Sequence, residues 1–181
     1  MIERRHFQMA DALHDFGPID EFKPEAIGVP GNRRFRVMFR QGRRIACFWM
    51  EKQQLGALAD ALNDLLSQTE GGVGRPDPQP TGAYPEPFEV EALTGRLALG
   101  YNEDSDLFLI YLYDLESETA AREGIDDPDE ADEAAERAAP TIRAEVTRGQ
   151  LERFYSEAAK VIESGRPQKP SKNGHIPYNP N

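Results

Sequence analysis

The sequence of 181 residues has little sulfur, imidazole or indole: one cysteine, three histidines and one tryptophan. The lone thiol, Cys47, excludes a disulfide within the chain and fits a reducing compartment. The longest apolar run, residues 107–113, is far shorter than the roughly 20 residues that a membrane-spanning helix needs. The first residues lead into no apolar stretch of the kind that a secretory signal contains. We therefore expect a cytoplasmic protein without a membrane segment.

Positive charge is also in short supply. The chain holds 32 acidic against 21 basic residues, which gives a formal net charge of -11 at pH 7. An acidic excess of this kind favours solubility and disfavours nonspecific attraction to nucleic acid or anionic lipid. The sequence also lacks a nucleotide-binding motif, a nucleophile constellation and a cluster of metal-ligating side chains. From these absences we predict no catalytic residue, no metal ligand and no cofactor.

What the sequence does contain is a repeated helical pattern. Two apolar stripes follow the spacing i, i+3, i+4, i+7, i+10, i+11, which is one face of an α-helix. The second stripe lies 96 positions after the first, because Leu151 corresponds to Leu55. The pattern predicts helices over residues 52–67 and 148–164. The stripes consist of Leu55, Leu58, Ala59, Leu62, Leu65 and Leu66, and of Leu151, Phe154, Tyr155, Ala158, Val161 and Ile162.

Strand patterns precede both helices. Residues 34–40 alternate apolar with basic side chains, and residues 43–50 return as a second strand after a turn at Gln41-Gly42. Further strands are predicted over residues 21–29, 95–101, 107–115 and 141–146, and residues 107–112 are apolar enough to be buried on both faces. We therefore predict an α+β fold: a duplicated strand–strand–strand–helix unit, an antiparallel sheet with two helices packed on it, and pseudo-twofold symmetry.

The length predicts one domain over residues 1–181. Within it, residues 19–68 form the first repeat unit and residues 89–165 form the second. Residues 69–88 between them are rich in proline and glycine, which predicts an extended linker. Residues 166–181 form a polar tail. The organisation is therefore two units in one domain, joined by a linker and followed by a tail.

Basic residues concentrate in one short segment of this acidic chain. Six arginines fall between residues 33 and 44, interleaved with Phe35 and Phe39. Planar guanidinium groups suit bidentate binding of phosphate or carboxylate, so the segment is a candidate anion- or partner-binding surface. The simpler interpretation is a solvated strand face whose arginines pair with acids of the same chain. The candidate residues are Arg34, Arg36, Arg40, Arg43 and Arg44.

The opposite charge concentrates in residues 116–139, which interrupt the second unit with ten acids against two arginines. Several alanines permit a helix in this acidic insertion, and Pro140 would end it. The segment could bind a divalent metal, mimic nucleic acid or dock a basic partner, although it lacks the ligand spacing and central glycine of a calcium loop. The plainest interpretation is a solvated insertion.

Several short motifs together resemble an uncharacterised family of bacterial proteins, DUF3090. The resemblance rests on Gly28-Val29-Pro30-Gly31-Asn32-Arg33-Arg34-Phe35, Met50-Glu51-Lys52-Gln53-Gln54-Leu55, Leu97-Ala98-Leu99, Gln150-Leu151 and Gly165-Arg166-Pro167. The resemblance implies no catalytic activity. It implies a small zinc knuckle of cysteines in the tail, but here only Gly174-His175 is present, and one histidine cannot replace four ligands. We therefore expect no bound zinc.

These observations favour a non-catalytic protein-interaction or regulatory module with a protein partner of unknown identity. The first alternative is nucleic-acid or nucleotide binding through the arginine-rich strand ribbon. The second alternative is a metal-dependent phosphoester hydrolase that uses carboxylates of the acidic insertion. Free, unpaired arginines on one face would favour the first alternative, and clustered, partly buried carboxylates would favour the second.

Overall fold

The computed structural model describes residues 11–71, 76–78 and 82–164, and these residues form a mixed α+β protein. The predicted tail, residues 166–181, and parts of the predicted linker lie outside the described residues. No helix among the described residues is long and apolar enough to cross a membrane. The elements are β1 (His14–Pro18), β2 (Glu21–Val29), β3 (Asn32–Gln41), β4 (Arg44–Met50), α1 (Lys52–Gln68), β5 (Val90–Asn102), β6 (Leu107–Asp114), α2 (Leu115–Arg122), α3 (Pro128–Arg137), β7 (Ile142–Val146) and α4 (Arg148–Ser164).

The seven strands form one sheet in the order β1-β7-β6-β5-β4-β3-β2. Its two edge strands, β1 and β2, are consecutive in the sequence and are joined only by Ile19 and Asp20. The N–H of Ile19 donates to the carbonyl of Glu145 at 3.0 Å, and the N–H of Asp20 donates to the carbonyl of Arg40 at 2.8 Å. The sheet therefore curves until its two edges meet at this two-residue connection.

The prediction of a purely antiparallel sheet is wrong, because two of the strand pairs are parallel. β4 pairs with β5 in parallel, and β1 pairs with β7 in parallel. The first of these pairs follows from connectivity: α1 lies between β4 and β5, and a helical crossover returns the chain to the same end of the sheet. The second pair involves β1, which the sequence pattern did not identify as a strand.

The two long helices cover the concave side of the sheet, as their apolar stripes require. Leu58, Leu62, Phe154 and Ala158 are all buried, and they share one core with alternate residues of the strands. The predicted helix over residues 148–164 coincides with α4, and α1 extends one residue beyond its predicted end. Tyr155 was included in the second stripe, but it lies at the stripe's margin and is 39% exposed.

The outer face of the sheet is covered by different elements in its two halves. Beside β3 and β4, Tyr84 and Phe88 of the predicted linker pack against the buried Met38, Ile45 and Cys47. Burial raises the pKa of the Cys47 thiol to about 11, so this cysteine behaves as a small apolar side chain. The predicted linker thus supplies part of a second, smaller core.

The acidic insertion is ordered into two helices, α2 and α3, rather than a fully solvated segment. Ala131 and Ala135 are buried, and Glu118 is 7% exposed. Arg96 donates from Nε to Glu118 at 3.1 Å and from Nη2 to the carbonyl of Ala135 at 2.9 Å. A single arginine of β5 therefore ties both helices of the insertion to the sheet.

Candidate functional site

Three of the five predicted arginines are occupied by carboxylates of the same chain. Arg36 lies 2.8 Å from Glu25, and Arg40 lies 3.3 Å from Glu21. Both pairs follow from the β2–β3 hairpin, whose register places these residues opposite each other. Arg44 lies 2.7 Å from Glu89, which precedes β5. These guanidinium groups serve to hold strands together and have little charge left for a ligand.

The remaining two predicted arginines are separated in space. The guanidinium of Arg34 lies 4.1 Å from the ring centroid of Trp49, and the indole N–H of Trp49 donates to Glu91 at 2.8 Å. Arg43 is exposed in the turn between β3 and β4. In the described part of the chain, neither arginine forms an ion pair. The structure therefore does not bring the five predicted residues together as one cationic surface.

One concave feature in the described part of the chain is instead acidic. A cleft of about 820 Å³, here called the acidic cleft, lies between the N-terminal half of β5 and helix α2. Five carboxylates line it, and the described lining contains no lysine or arginine. The lining residues are His14, Glu89, Val90, Glu91, Ala92, Leu93, Asp114, Leu115, Glu116, Ser117, Thr119, Ala120, Glu123 and Thr141.

The cleft exists because β5 changes its pairing partner halfway along its length. Residues 90–93 pair with β4, and β6 pairs only from Thr94 onwards, across an irregularity between Thr94 and Leu97. At the matching point β6 ends, and the chain turns into α2. Gly95 lies at this bend, where an added Cβ would clash with the carboxylate of Glu118 and lie 3.1 Å from the Cα of Leu115. Only glycine therefore allows α2 to pack this closely.

Two exposed leucines connect the acidic cleft to a second cavity. Leu93 is 55% exposed and Leu115 is 46% exposed, and both line both cavities. The second cavity has a volume of about 460 Å³ and is also lined by Arg34 and Trp49. We call the two cavities together the groove. It has an acidic end, an apolar centre and an end with arginine and indole side chains.

Two of the five carboxylates of the acidic cleft, Glu89 and Asp114, have a lowered pKa. Hydrogen bonding from Arg44 lowers the pKa of Glu89, with a further contribution from His14. Partial burial acts to raise the pKa of Asp114, but hydrogen bonds from Ser117 and Thr141 outweigh it and lower this pKa. Because Glu89 is paired with Arg44 and Asp114 is engaged by hydrogen bonds, the negative charge that the cleft offers comes mainly from Glu91, Glu116 and Glu123.

Asp114 also holds the wall of the cleft in place, because it is the N-cap of α2. Its carboxylate accepts from the N–H of Ser117 at 2.7 Å and from Thr141 Oγ1 at 2.9 Å. We expect Asp114→Ala to lower the free energy of unfolding by about 1–2 kcal/mol, measured by urea denaturation at pH 7. Asp114→Asn should cost less, because asparagine also caps helices. Equal losses of stability in the two variants would show that the charge of Asp114, and not its capping hydrogen bonds, provides the stabilisation.

That contribution depends on pH with a definite sign. The pKa of Asp114 is lower in the folded chain than its ordinary value of 3.8, so folding favours the ionised form. The stabilisation is therefore complete above pH 3.8 and is lost as the pH falls through the folded-state pKa. The stability difference between the native chain and Asp114→Asn should accordingly shrink on acidification below that value.

The carboxylates of the acidic insertion do not converge on a point. Within residues 11–71, 76–78 and 82–164, no three side chains of histidine, cysteine, aspartate or glutamate lie close enough together to hold a metal ion. Asp127 instead caps α3 by accepting from the N–H of Asp129 at 2.9 Å. The insertion's geometry is that of a charged surface.

Two glutamines make equivalent contacts at the starts of α1 and α4. Gln54 accepts from the N–H of Glu51 at 2.8 Å and donates to the carbonyl of Thr94 at 3.3 Å. Gln150 accepts from the N–H of Thr147 at 2.9 Å and donates to the carbonyl of Ile19 at 2.9 Å. Each glutamine therefore caps its own helix. Gln54 also ties α1 to β5, and Gln150 also ties α4 to the connection between β1 and β2.

The groove was not predicted from the sequence. Leu93, Thr94 and Gly95 were placed at or before the start of a strand, and Leu115 was placed at the end of one. A signal was available in Gly95, because an isolated glycine within a strand pattern is typical of a bulge or a close backbone approach. The sequence alone gave no indication that an exposed leucine lies on each side of that bend.

The fold and the groove define a class: an α+β protein with a strongly curved mixed sheet and an acidic groove that has exposed leucines at its centre. The family model of DUF3090, a protein of unknown function, matches residues 14–177, and the chain belongs to this family. No curated protein and no solved structure matches the chain. The match to the family model confirms the predicted family resemblance.

Proposed function

We propose that this chain is a non-catalytic protein-interaction module of the cytoplasm, and that its groove binds a basic segment of a protein partner. The observation that carries the proposal is the acidic cleft beside Leu93 and Leu115. Five carboxylates and two exposed leucines are concentrated in one concave surface. Such a surface is complementary to a segment that carries both lysine or arginine and apolar side chains.

The charges that the groove offers are available to a partner. Glu116 on α2 and Glu123 directly after it are exposed, and neither forms an ion pair within the described residues. Among the same residues, Glu91 accepts a neutral hydrogen bond from the indole of Trp49 and forms no ion pair. These three carboxylates favour a cationic partner, and they disfavour phosphate-rich nucleic acid in the same place.

The arrangement of the arginines supports the same choice. A nucleic-acid surface needs several unpaired cations on one face, because affinity comes from neutralising phosphates. Arg36, Arg40 and Arg44 are paired with carboxylates, which leaves Arg34 and Arg43 at separate places. We therefore do not favour the nucleic-acid alternative, nor the hydrolase alternative, which needs carboxylates that converge.

We further propose that the fold is a single domain built from two copies of one unit, residues 19–68 and residues 89–165, related by a pseudo-twofold axis. Two matching pairing patterns support this proposal. β5 pairs first with β4 and then with β6, and in the same way β1 pairs with β7 and the following strand, β2, pairs with β3. The matched contacts of Gln54 and Gln150 fall at corresponding places in the two units.

The proposed function is tested by capturing partners from native lysate and measuring the identified partner's affinity by titration calorimetry. The double change Leu93→Asn with Leu115→Asn should weaken the partner's binding by on the order of 100-fold, since each lost apolar contact at a hot spot costs about 1–2 kcal/mol. A matched control is Val29→Asn with Leu13→Asn, at residues that are 66% and 65% exposed and lie outside the groove.

The control pair should leave the dissociation constant unchanged. A partner that binds both double variants equally well would refute the groove as the binding surface. The chain could instead capture RNA from the lysate. If Arg34→Glu abolished that binding and the leucine changes did not, the result would establish the nucleic-acid alternative.

A further inference from the structure

The N-terminal half of β5 has a free edge that opens into the acidic cleft. Within the described residues, β4 is the only strand paired with residues 90–93, because β6 joins β5 only at Thr94. Alternate residues of a strand direct their N–H and C=O groups to opposite sides. Some main-chain donors and acceptors of this segment therefore point away from β4 and towards the cleft.

The cleft adjoins this edge along its whole length, since Val90, Glu91, Ala92 and Leu93 all line it. Four residues of β5 extend over about 13 Å at the usual rise of a strand, and the adjoining space has a volume of about 820 Å³. Helix α2 and His14 line the same space on its other sides.

The side chains beside this edge alternate in a way that would select a sequence. Val90 and Ala92 face the core, whereas Glu91 and Leu93 face outwards and are exposed. An added strand would place alternate side chains next to Glu91 and Leu93, where a basic residue and an apolar residue respectively have favourable neighbours. Glu116 on α2 and Glu123 directly after it line the same space and add to the preference for cations.

From these observations we infer that the partner's segment binds by strand addition, as an extended, proline-free stretch with a basic and an apolar residue two positions apart, which pairs with the free edge of β5 at residues 90–93. The inference rests on the proposed function and specifies its binding mode. Main-chain hydrogen bonds would supply affinity, and the outward side chains of β5 would supply specificity. The occupant to which we commit is a segment of another protein.

A library of random dodecapeptides displayed on phage supplies the probe, selected against the full chain. We expect the enriched peptides to carry lysine or arginine two positions away from an apolar residue and to lack proline in the bound stretch. The best peptide is then synthesised with a single N-methyl group at each position in turn. Methylation should weaken binding at least tenfold at alternate positions only, since only every second N–H of a strand faces its neighbour.

A matched pair of charge variants locates the peptide. Glu116→Lys with Glu123→Lys should weaken the peptide's binding at least tenfold, whereas Glu130→Lys with Glu136→Lys on α3, which make the same change of charge outside the groove, should leave the affinity within about twofold. Circular dichroism of both variants checks that the fold is retained. When the peptide binds, we expect slower hydrogen exchange at the backbone amides of residues 90–93.

Each of the other outcomes overturns the inference in a recognisable way. Peptides that depend on Glu116 and Glu123 but tolerate N-methylation at every position would refute strand addition and leave the groove as a partner site. Peptides that bind equally to both charge variants, or a library without enrichment, would refute the inference and the acidic cleft together. Competition by this chain's own tail, or by a second copy, for the free edge would exclude a foreign segment as the principal occupant.

Discussion

Replacing Phe154 with alanine is expected to lower the free energy of unfolding by about 3–5 kcal/mol. The Phe154 ring is fully buried and stacks on Phe22 of β2 with ring centroids 4.0 Å apart and an interplanar angle of 8°. The ring therefore connects α4 to β2, the edge strand that directly follows β1. Truncation to alanine removes the stacked pair and leaves a cavity between helix and sheet that rigid strands cannot fill by collapse.

Urea denaturation followed by circular dichroism measures this loss. The neighbouring substitution Tyr155→Ala provides the control, because it removes a similar ring from the same helix at a position that is 39% exposed. The control should cost about 1 kcal/mol or less. Comparable losses at the two positions would show that the buried contact with β2 does not determine the effect.

The second large effect is expected at Gln150. Replacing it with alanine removes the partners of the Thr147 N–H and the Ile19 carbonyl, and Gln150 itself is only 2% exposed. A buried polar group left without a partner costs about 1–3 kcal/mol. We therefore expect Gln150→Ala to lower the free energy of unfolding by about 2–4 kcal/mol.

Gln54→Ala is the matched comparison, since Gln54 makes the same two contacts at the start of α1. Its bond to Thr94 is longer, at 3.3 Å, and it lies on the wall of a cavity that water can enter. Water can replace its lost hydrogen bonds, so the expected cost is about 1 kcal/mol or less. Equal destabilisation by the two substitutions would contradict the idea that burial makes Gln150 the more important fastening.

Periodicity predicted the helices well because a helix needs only local information. The stripe from Leu55 identified α1, and the stripe from Leu151 identified α4 to the residue. The same pattern could not separate Phe154 from Tyr155, since both lie on the apolar side of the wheel and only the position of β2 decides which is buried. The local pattern therefore predicts where a helix lies, whereas the burial of each of its side chains depends on tertiary packing.

Strand partners were harder to predict because they are set by residues distant in the sequence. Residues 14–18 show no alternation, and their pairing with β7 depends on a segment near the other end of the chain. The partners of Arg36 and Arg40 were within reach, however. A hairpin centred on Pro30-Gly31 places Glu25 opposite Arg36 and Glu21 opposite Arg40. The register of a single turn would have indicated that these arginines are paired.

The groove lay beyond prediction for a different physical reason. It arises where β5 exchanges one neighbour for another, and pairing that changes within a strand leaves no periodic trace in the sequence. Leu93 and Leu115 resemble ordinary strand residues until the path of α2 is known. The acidic insertion was correctly identified as a segment of unusual charge, but its role as the wall of a cleft depends on Asp114 turning the chain at the end of β6.

The connection between β1 and β2 has a consequence for the order of folding. His14 pairs with Ile142, so the sheet's closing contact joins residues from opposite ends of the polypeptide. During synthesis β2, β3 and β4 emerge early and can form their hairpins at once, whereas β1 has no partner until β7 has left the ribosome. Contacts of such long sequence separation slow folding. The nascent chain therefore passes through a stage in which β1 is unpaired and the sheet is open, until β7 has been synthesised.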